Sequence, residues 1–158
     1  MKSTTISLLI ILLIVLDQIS KVLISSSLAL GESLNLLPFL NFTLIHNTGI
    51  AFSFFDQGGN ISRWLLVTVI SAIVAYLLFL MYEKTPKNRL ELMSLILIIS
   101  GGLGNLVDRV FLGYVVDFVH VFYQDYSFYV FNLADTYITV GIILYLSYFF
   151  FIERAEET

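Results

Sequence analysis

The sequence predicts an all-α integral membrane protein with four transmembrane helices, and three observations carry that reading. Of its 158 residues, 58% are hydrophobic and only 13% charged, far from the balance of a soluble globular domain. The apolar residues fall into four runs, each near the roughly 20 residues with which a helix crosses a bilayer. The charged residues gather at the ends of those runs and in the connections between them. Residues 1–158 are therefore read as a single membrane-embedded domain.

The first span is expected over 4–25. Lys2 ahead of an apolar run gives this stretch the look of a cleavable signal peptide. The run nevertheless continues past Asp17 and Lys21 without reaching a small-residue cleavage site, so a retained helix fits better. Further spans are expected over 64–82, 92–111 and 134–152. Four spans put both termini and the short connection 83–91 on one side, with the long connections 26–63 and 113–133 on the other. Lys84, Lys87 and Arg89, joined by Lys2 and Arg154, outnumber Lys21, Arg63 and Arg109, so both termini are expected in the cytoplasm. The long connections then face outward.

Within the first long connection, 39–46 (FLNFTLIH) shows partial alternation and β-formers, and Asn47-Thr48-Gly49 supplies turn chemistry. A short strand or hairpin is expected there. The stretch 50–55 (IAFSFF) is apolar but too short to span, and is expected to lie in the membrane interface. In the second connection Gly113 is a natural helix terminator, and 114–122, rich in Val, Phe and Tyr, reads as extended. Tyr123, Tyr126, Phe128, Tyr129 and Phe131 read as an interfacial aromatic belt rather than a ligand box.

Several chemistries are excluded. The net charge of −4 and the lack of a basic patch leave nothing to bind nucleic acid. With no cysteine there is no thiolate nucleophile, thiolate metal site or disulfide. There is no HExxH, and the two histidines, His46 and His120, fall short of the usual catalytic zinc set. No serine stands in a GxSxG elbow, and the run Ser100-Gly101-Gly102-Leu103-Gly104 reads as close helix packing through small residues. No metal or organic cofactor is implied.

The aspartates remain. Asp17 and Lys21 stand four apart on one helical face, where they can neutralise each other, so a structural or pocket-lining role is expected. Asp108 reads as structural, and its neighbour Arg109 either holds a substrate backbone or lipid headgroup or simply snorkels to the interface. Asp56 and Asp125 lie in polar turns. That leaves Asp117, inside the apolar VVDF, and Asp135, at the head of the last span, each without a basic neighbour in sequence. A carboxylate at membrane depth is expensive and usually serves a polar cavity or a function. Two that share one proton are the working parts of an aspartyl protease, although Asp135 also suits the N-cap of its helix.

Five motifs follow one another in order: DQISK at 17–21, NTGIAF at 47–52, GNLVDR at 104–109, VVDF at 115–118 and FNLAD at 131–135. With them the chain closely resembles the bacterial lipoprotein signal peptidases, the signal peptidase II family, over essentially its whole length. The resemblance implies an aspartyl endopeptidase of the bacterial cytoplasmic membrane that cuts prolipoproteins just before a diacylglyceryl-modified cysteine. It carries the catalytic pair onto Asp117 and Asp135. It also implies that Asp17, Lys21, Asn47, Gly49, Asn105, Asp108, Arg109, Asn132 and Ala134 bind substrate or support the site. The fold it implies adds a small extracytoplasmic β-cradle and a short interfacial helix to the four spans. Its partners are prolipoprotein substrates and membrane lipids, and it is expected to act as a monomer. Ile50, His120 and Tyr137 depart from the family pattern.

Two other classes compete, a small proton-coupled transporter and a noncatalytic scaffold. The transporter predicts ionisable residues deep in several spans, yet 64–82 is uncharged and the candidates cluster toward one face. A scaffold has no need of both Asp117 and Asp135.

Overall fold

The computed structural model describes residues 2–49, 60–83, 86 and 88–153, with side chains to 151. In chain order the elements are α1 (Ser3–Ser27), β1 (Ser33–Leu37), β2 (Leu40–Asn47), α2 (Asn60–Glu83), α3 (Arg89–Phe111), β3 (Val115–Tyr123), β4 (Tyr126–Ser127) and α4 (Leu133–Tyr148). A π-helical turn, Phe149–Glu153, continues α4. Four helices are long and apolar enough to cross a membrane, as expected. The apolar segment 50–55 lies outside the described residues.

The helices run slightly longer than their hydropathy suggests, because polar residues finish them. Ser26 and Ser27 at the end of α1 donate back to the carbonyl of Leu23. Near the start of α2, Arg63 donates to the carbonyls of Arg109 and Val110 at the end of α3, two acceptors a helix terminus leaves unpaired. Asn88 caps α3, its side chain accepting from the amide of Glu91 at 2.9 Å. Hydropathy registers the apolar length of a helix and is blind to such polar ends.

The central helix is α3, on which α1, α2 and α4 all pack. Ile6 and Ile10 of α1, Val74 and Met81 of α2, and Leu92, Leu95, Ile96 and Ile99 of α3 form the core. Elsewhere large apolar side chains point outward, among them Leu8, Ile19, Phe79 and Ile143, as a lipid solvent demands. The small residues of α3 read as packing residues do that work. A Cβ on Gly101 would run into the carbonyl oxygen of Ala134, and one on Gly104 would come within 2.7 Å of Asp17 Oδ2.

One four-stranded antiparallel sheet, ordered β1-β2-β3-β4, covers the end of the bundle where α1 and α3 finish and α2 and α4 begin. The expected strand is β2, and its partner β1 starts upstream of the expected range. The second connection is extended as expected, with Leu40↔Val121 through Asn47↔Val115 in register and an irregularity between Phe42 and Ile45. All-α spans with a small sheet are thus the observed architecture.

Candidate active site

Gly113, at φ +87°, ends α3 with its amide and that of Leu112 both donating to the carbonyl of Asp108. The chain turns there straight into β3, whose first half, Val115 to Phe118, is buried. Asp117 therefore lies inside the protein, 2% exposed. Farther on, Phe131 pairs with Val119, its amide donating to the Val119 carbonyl at 3.0 Å. This pairing brings the next residue, Asn132, against Asp117 just as α4 begins.

Asn132 joins the two candidate carboxylates. Its Nδ2 donates to Asp117 Oδ1 at 2.6 Å. Its Oδ1 accepts from the amide of Asp135 at 2.9 Å, and its own amide donates to Asp135 Oδ2 at 3.2 Å, a reciprocal capping box. The residue that caps α4 is thus Asn132, and Asp135 stands at the third helical position rather than at the cap expected of it. The capping bond orients the Asn132 amide, so its donor end must face Asp117.

Two further asparagines complete the frame. Asn47 Nδ2 donates to Asp117 Oδ2 at 2.8 Å, while its Oδ1 accepts from the amide of Gly49 at 2.9 Å. Gly49 adopts φ +79°, a left-handed conformation that glycine enters without strain. Asn105 Nδ2 donates to Asp135 Oδ1 at 2.7 Å, and its Oδ1 accepts from Asn132 Nδ2 and from Lys21 Nζ, both at 3.1 Å. Every amide orientation is consistent with every other.

Behind this frame lies a buried ion cluster. Lys21 Nζ stands 2.8 Å from Asp17 Oδ2 and 3.0 Å from Asp108 Oδ2. Asp17 also accepts from the amide of Ala134 at 2.9 Å, and Asp108 from the amide of Val116 at 3.1 Å. One ammonium thus ties α1 to α3, while its two carboxylates hold the backbone immediately before Asp135 and before Asp117. Ala134 is fully buried, and Arg109 donates to the carbonyl of Asn105 at 3.3 Å.

A sequence model of the family described as Signal peptidase (SPase) II matches residues 9–151 of this chain. The chain belongs to the signal peptidase II family. Among its relatives, the lipoprotein signal peptidase of Acinetobacter baylyi is 45% identical over 145 residues, covering 91% of this chain and 80% of its own. That of Coxiella burnetii is 42% identical over 141 residues, covering 87% and 85%. A solved structure described as a bacterial membrane enzyme matches with a TM-score of 0.85 at 28% identity, covering 95% of each chain. A second, described likewise, gives 0.83 at 27% identity over 99% of this chain and 93% of that one. A signal peptidase II is a protease, and the site must be read as one.

In this signal peptidase II, burial pushes the Asp117 carboxyl up to about 6, and the neighbouring Asp135 adds to the rise. The donors Asn47 and Asn132 and the charge of Lys21 oppose it. Asp135, half-buried, opens onto a cavity of about 310 Å³ lined by Phe128, Phe131, Thr136, Thr139 and Val140. A larger cavity of about 580 Å³ reaches Lys21 and Asp108 from the α1 side and touches neither Asp117 nor Asp135. Among the described residues, no three His, Asp or Glu side chains are grouped as metal ligands would be.

Two residues escaped sequence reasoning. Gln18 Nε2 donates to Asp108 Oδ1 at 3.0 Å, to the Gly104 carbonyl at 3.1 Å and to Asp17 Oδ2 at 3.2 Å, bridging the cluster's carboxylates. Its place inside DQISK was the available signal. Arg63 closes the end of α3, which a lone interfacial arginine in the sequence does not announce.

Proposed function

We propose that this signal peptidase II removes signal peptides from prolipoproteins with Asp117 and Asp135 as its catalytic pair, cutting before a diacylglyceryl-modified cysteine. The observation that carries the reading is Asn132, which hydrogen-bonds both carboxylates, to Asp117 at 2.6 Å and to Asp135 at 3.2 Å, from opposite edges of one residue. Two carboxylates tied this closely cannot both ionise freely, and they share a proton.

In this mechanism Asp117, its carboxyl raised by burial, carries the shared proton, and Asp135, at the cavity mouth, acts as the base. Asp135 takes a proton from water as the oxygen attacks the scissile carbonyl, while Asp117 gives its proton to the carbonyl oxygen. Collapse of the resulting diol returns that proton to Asp117. The proton on Asp135 passes to the departing cysteine nitrogen. The products are a signal peptide with a new carboxylate and a lipoprotein with a free N-terminal amine. Asn47, Asn105 and Asn132 hold the two carboxylates, and the Asp17–Lys21–Asp108 cluster holds the backbone beneath them. The enzyme sits in the bacterial inner membrane with both termini cytoplasmic and acts as a monomer, its site near the outward face, where a lipid-bearing cysteine presents its bond.

The test uses purified protein in lipid with a diacylglyceryl-modified prolipoprotein, read by gel shift beside Asp117→Asn and Asp135→Asn variants of matched thermal stability. Both variants should stay intact and lose turnover. Equal cleavage by either variant would remove that carboxylate from the mechanism, and equal cleavage of an unlipidated precursor would remove the diacylglyceryl requirement. Because the chain has no cysteine, single cysteines placed at the termini also report sidedness to an impermeant thiol reagent in intact cells.

A further inference from the structure

The sheet ends in two hairpin tips that lie side by side and present apolar surface. In the first, Leu36 and Leu37 at the end of β1 and Phe39 in the turn to β2 are exposed. In the second, Tyr123 and Tyr126 flank the turn between β3 and β4, with Phe128 beyond, and Tyr126 is 80% exposed. The tips touch: the amide of Phe122 donates to the carbonyl of Phe39 at 3.1 Å, and Leu40 pairs with Val121. A water-soluble protein rarely leaves so much contiguous apolar surface uncovered.

The patch also continues toward a membrane-spanning helix. The amide of Phe128 donates to Val121 on β3, and the Phe128 ring meets Phe131 edge-on, the centroids 6.1 Å apart. Both phenylalanines then line one cavity with Thr139 and Val140 of the membrane-spanning α4. Tyr and Phe are the residues that settle at the headgroup boundary. No lysine or arginine occurs over 22–62 or 110–153, and the turn of the second tip carries the carboxylate Asp125, so neither tip attracts an anionic lipid or an acidic protein.

We propose that the two hairpin tips form one foot that rests in the lipid interface on the sheet side of the membrane, laying the sheet along the bilayer. The foot reaches the interface through apolar contact, independent of lipid charge. It fixes the depth of β3, and so of Asp117, relative to the headgroups.

The sequence contains one tryptophan, Trp64, which makes the test direct. In a Trp64→Phe background, Tyr126→Trp and, separately, Phe39→Trp place a reporter at each tip of the full chain. The protein is reconstituted in phosphatidylcholine vesicles whose chains are brominated near the glycerol or near the methyl end. Both reporters should emit blue-shifted light and lose most of it to the shallow bromine, less to the deep one, with no change on adding salt. Water-like emission untouched by either lipid would overturn the proposal. So would blue-shifted emission that neither lipid quenches, the sign of a second copy or another protein over the patch, and quenching at one tip alone would remove the joint foot.

Discussion

Gly101→Ala should cripple this enzyme without touching either carboxylate. A Cβ at Gly101 points into α4: it would stand 2.7 Å from Ile138 Cγ1, 3.2 Å from the carbonyl carbon of Ala134 and closer still to its oxygen. Carbon atoms in ordinary contact keep about 3.5–4.0 Å, so the start of α4 must recede by about 1 Å. The atoms in the way include backbone, which cannot rotate aside. Asp135 is the next residue after Ala134 and moves with it, and a misplacement of about 1 Å costs a catalytic centre on the order of a hundredfold in rate. Overpacking alone costs about 1–3 kcal/mol, small enough to leave the protein folded. The neighbour supplies the control, since a Cβ on Gly102 meets only Val74 Cγ2, at 3.0 Å, a side-chain methyl that can yield. Cleavage of a lipidated precursor by the two variants in lipid, each checked by thermal unfolding, should show kcat reduced about a hundredfold for Gly101→Ala and little changed for Gly102→Ala. If Gly101→Ala cleaves like wild type, the α3–α4 spacing does not set the position of Asp135. If both variants fall equally, the loss is one of general helix packing.

Three other outcomes follow from the same geometry. If Asp117 carries the shared proton as proposed, its carboxyl raised to about 6 means that kcat/KM should fall about tenfold per pH unit above that value, measured with subsaturating substrate. The sign for stability is the same: the folded protein binds the Asp117 proton more tightly than the unfolded chain, so this carboxyl's burial weakens the fold as pH rises from 3.8 through about 6. Lys21→Met leaves Asp17 and Asp108 buried without their ammonium and should destabilise the protein by about 3–5 kcal/mol in detergent unfolding, a loss that adding Asp17→Asn and Asp108→Asn partly reverses. Asn132→Ala should lose the cap, about 1 kcal/mol, as well as turnover; Asn132→Ser should recover the cap but not turnover, because its hydroxyl is too short to reach Asp117.

The spans and the candidate carboxylates were legible because each rests on a local signal. Four apolar runs announce four helices, and an aspartate inside VVDF is conspicuous without neighbours. The Asp17–Lys21 pair was legible for the same reason, four residues being one helical turn. Its third member was not, since Asp108 meets Lys21 only once α1 and α3 pack, and Arg109, adjacent in sequence, drew attention from it. Asn132 shows the same limit: the resemblance marks it only as binding substrate or supporting the site, and tertiary pairing of Phe131 with Val119 makes it both the cap of α4 and a partner of Asp117. The strand β1 was hard to see because it is only five residues long and all five are exposed, so the brief alternation of SLNL marks no buried face.

The buried ammonium also makes two helices depend on each other in the bilayer. Entering the bilayer by itself, α1 carries an acid and a base one turn apart and can arrive as a neutral pair. By contrast, α3 brings Asp108, whose side-chain partners Lys21 and Gln18 both belong to α1. Asp108 is thus satisfied in the bilayer when α3 packs on α1, and it holds the Val116 amide of β3 as well.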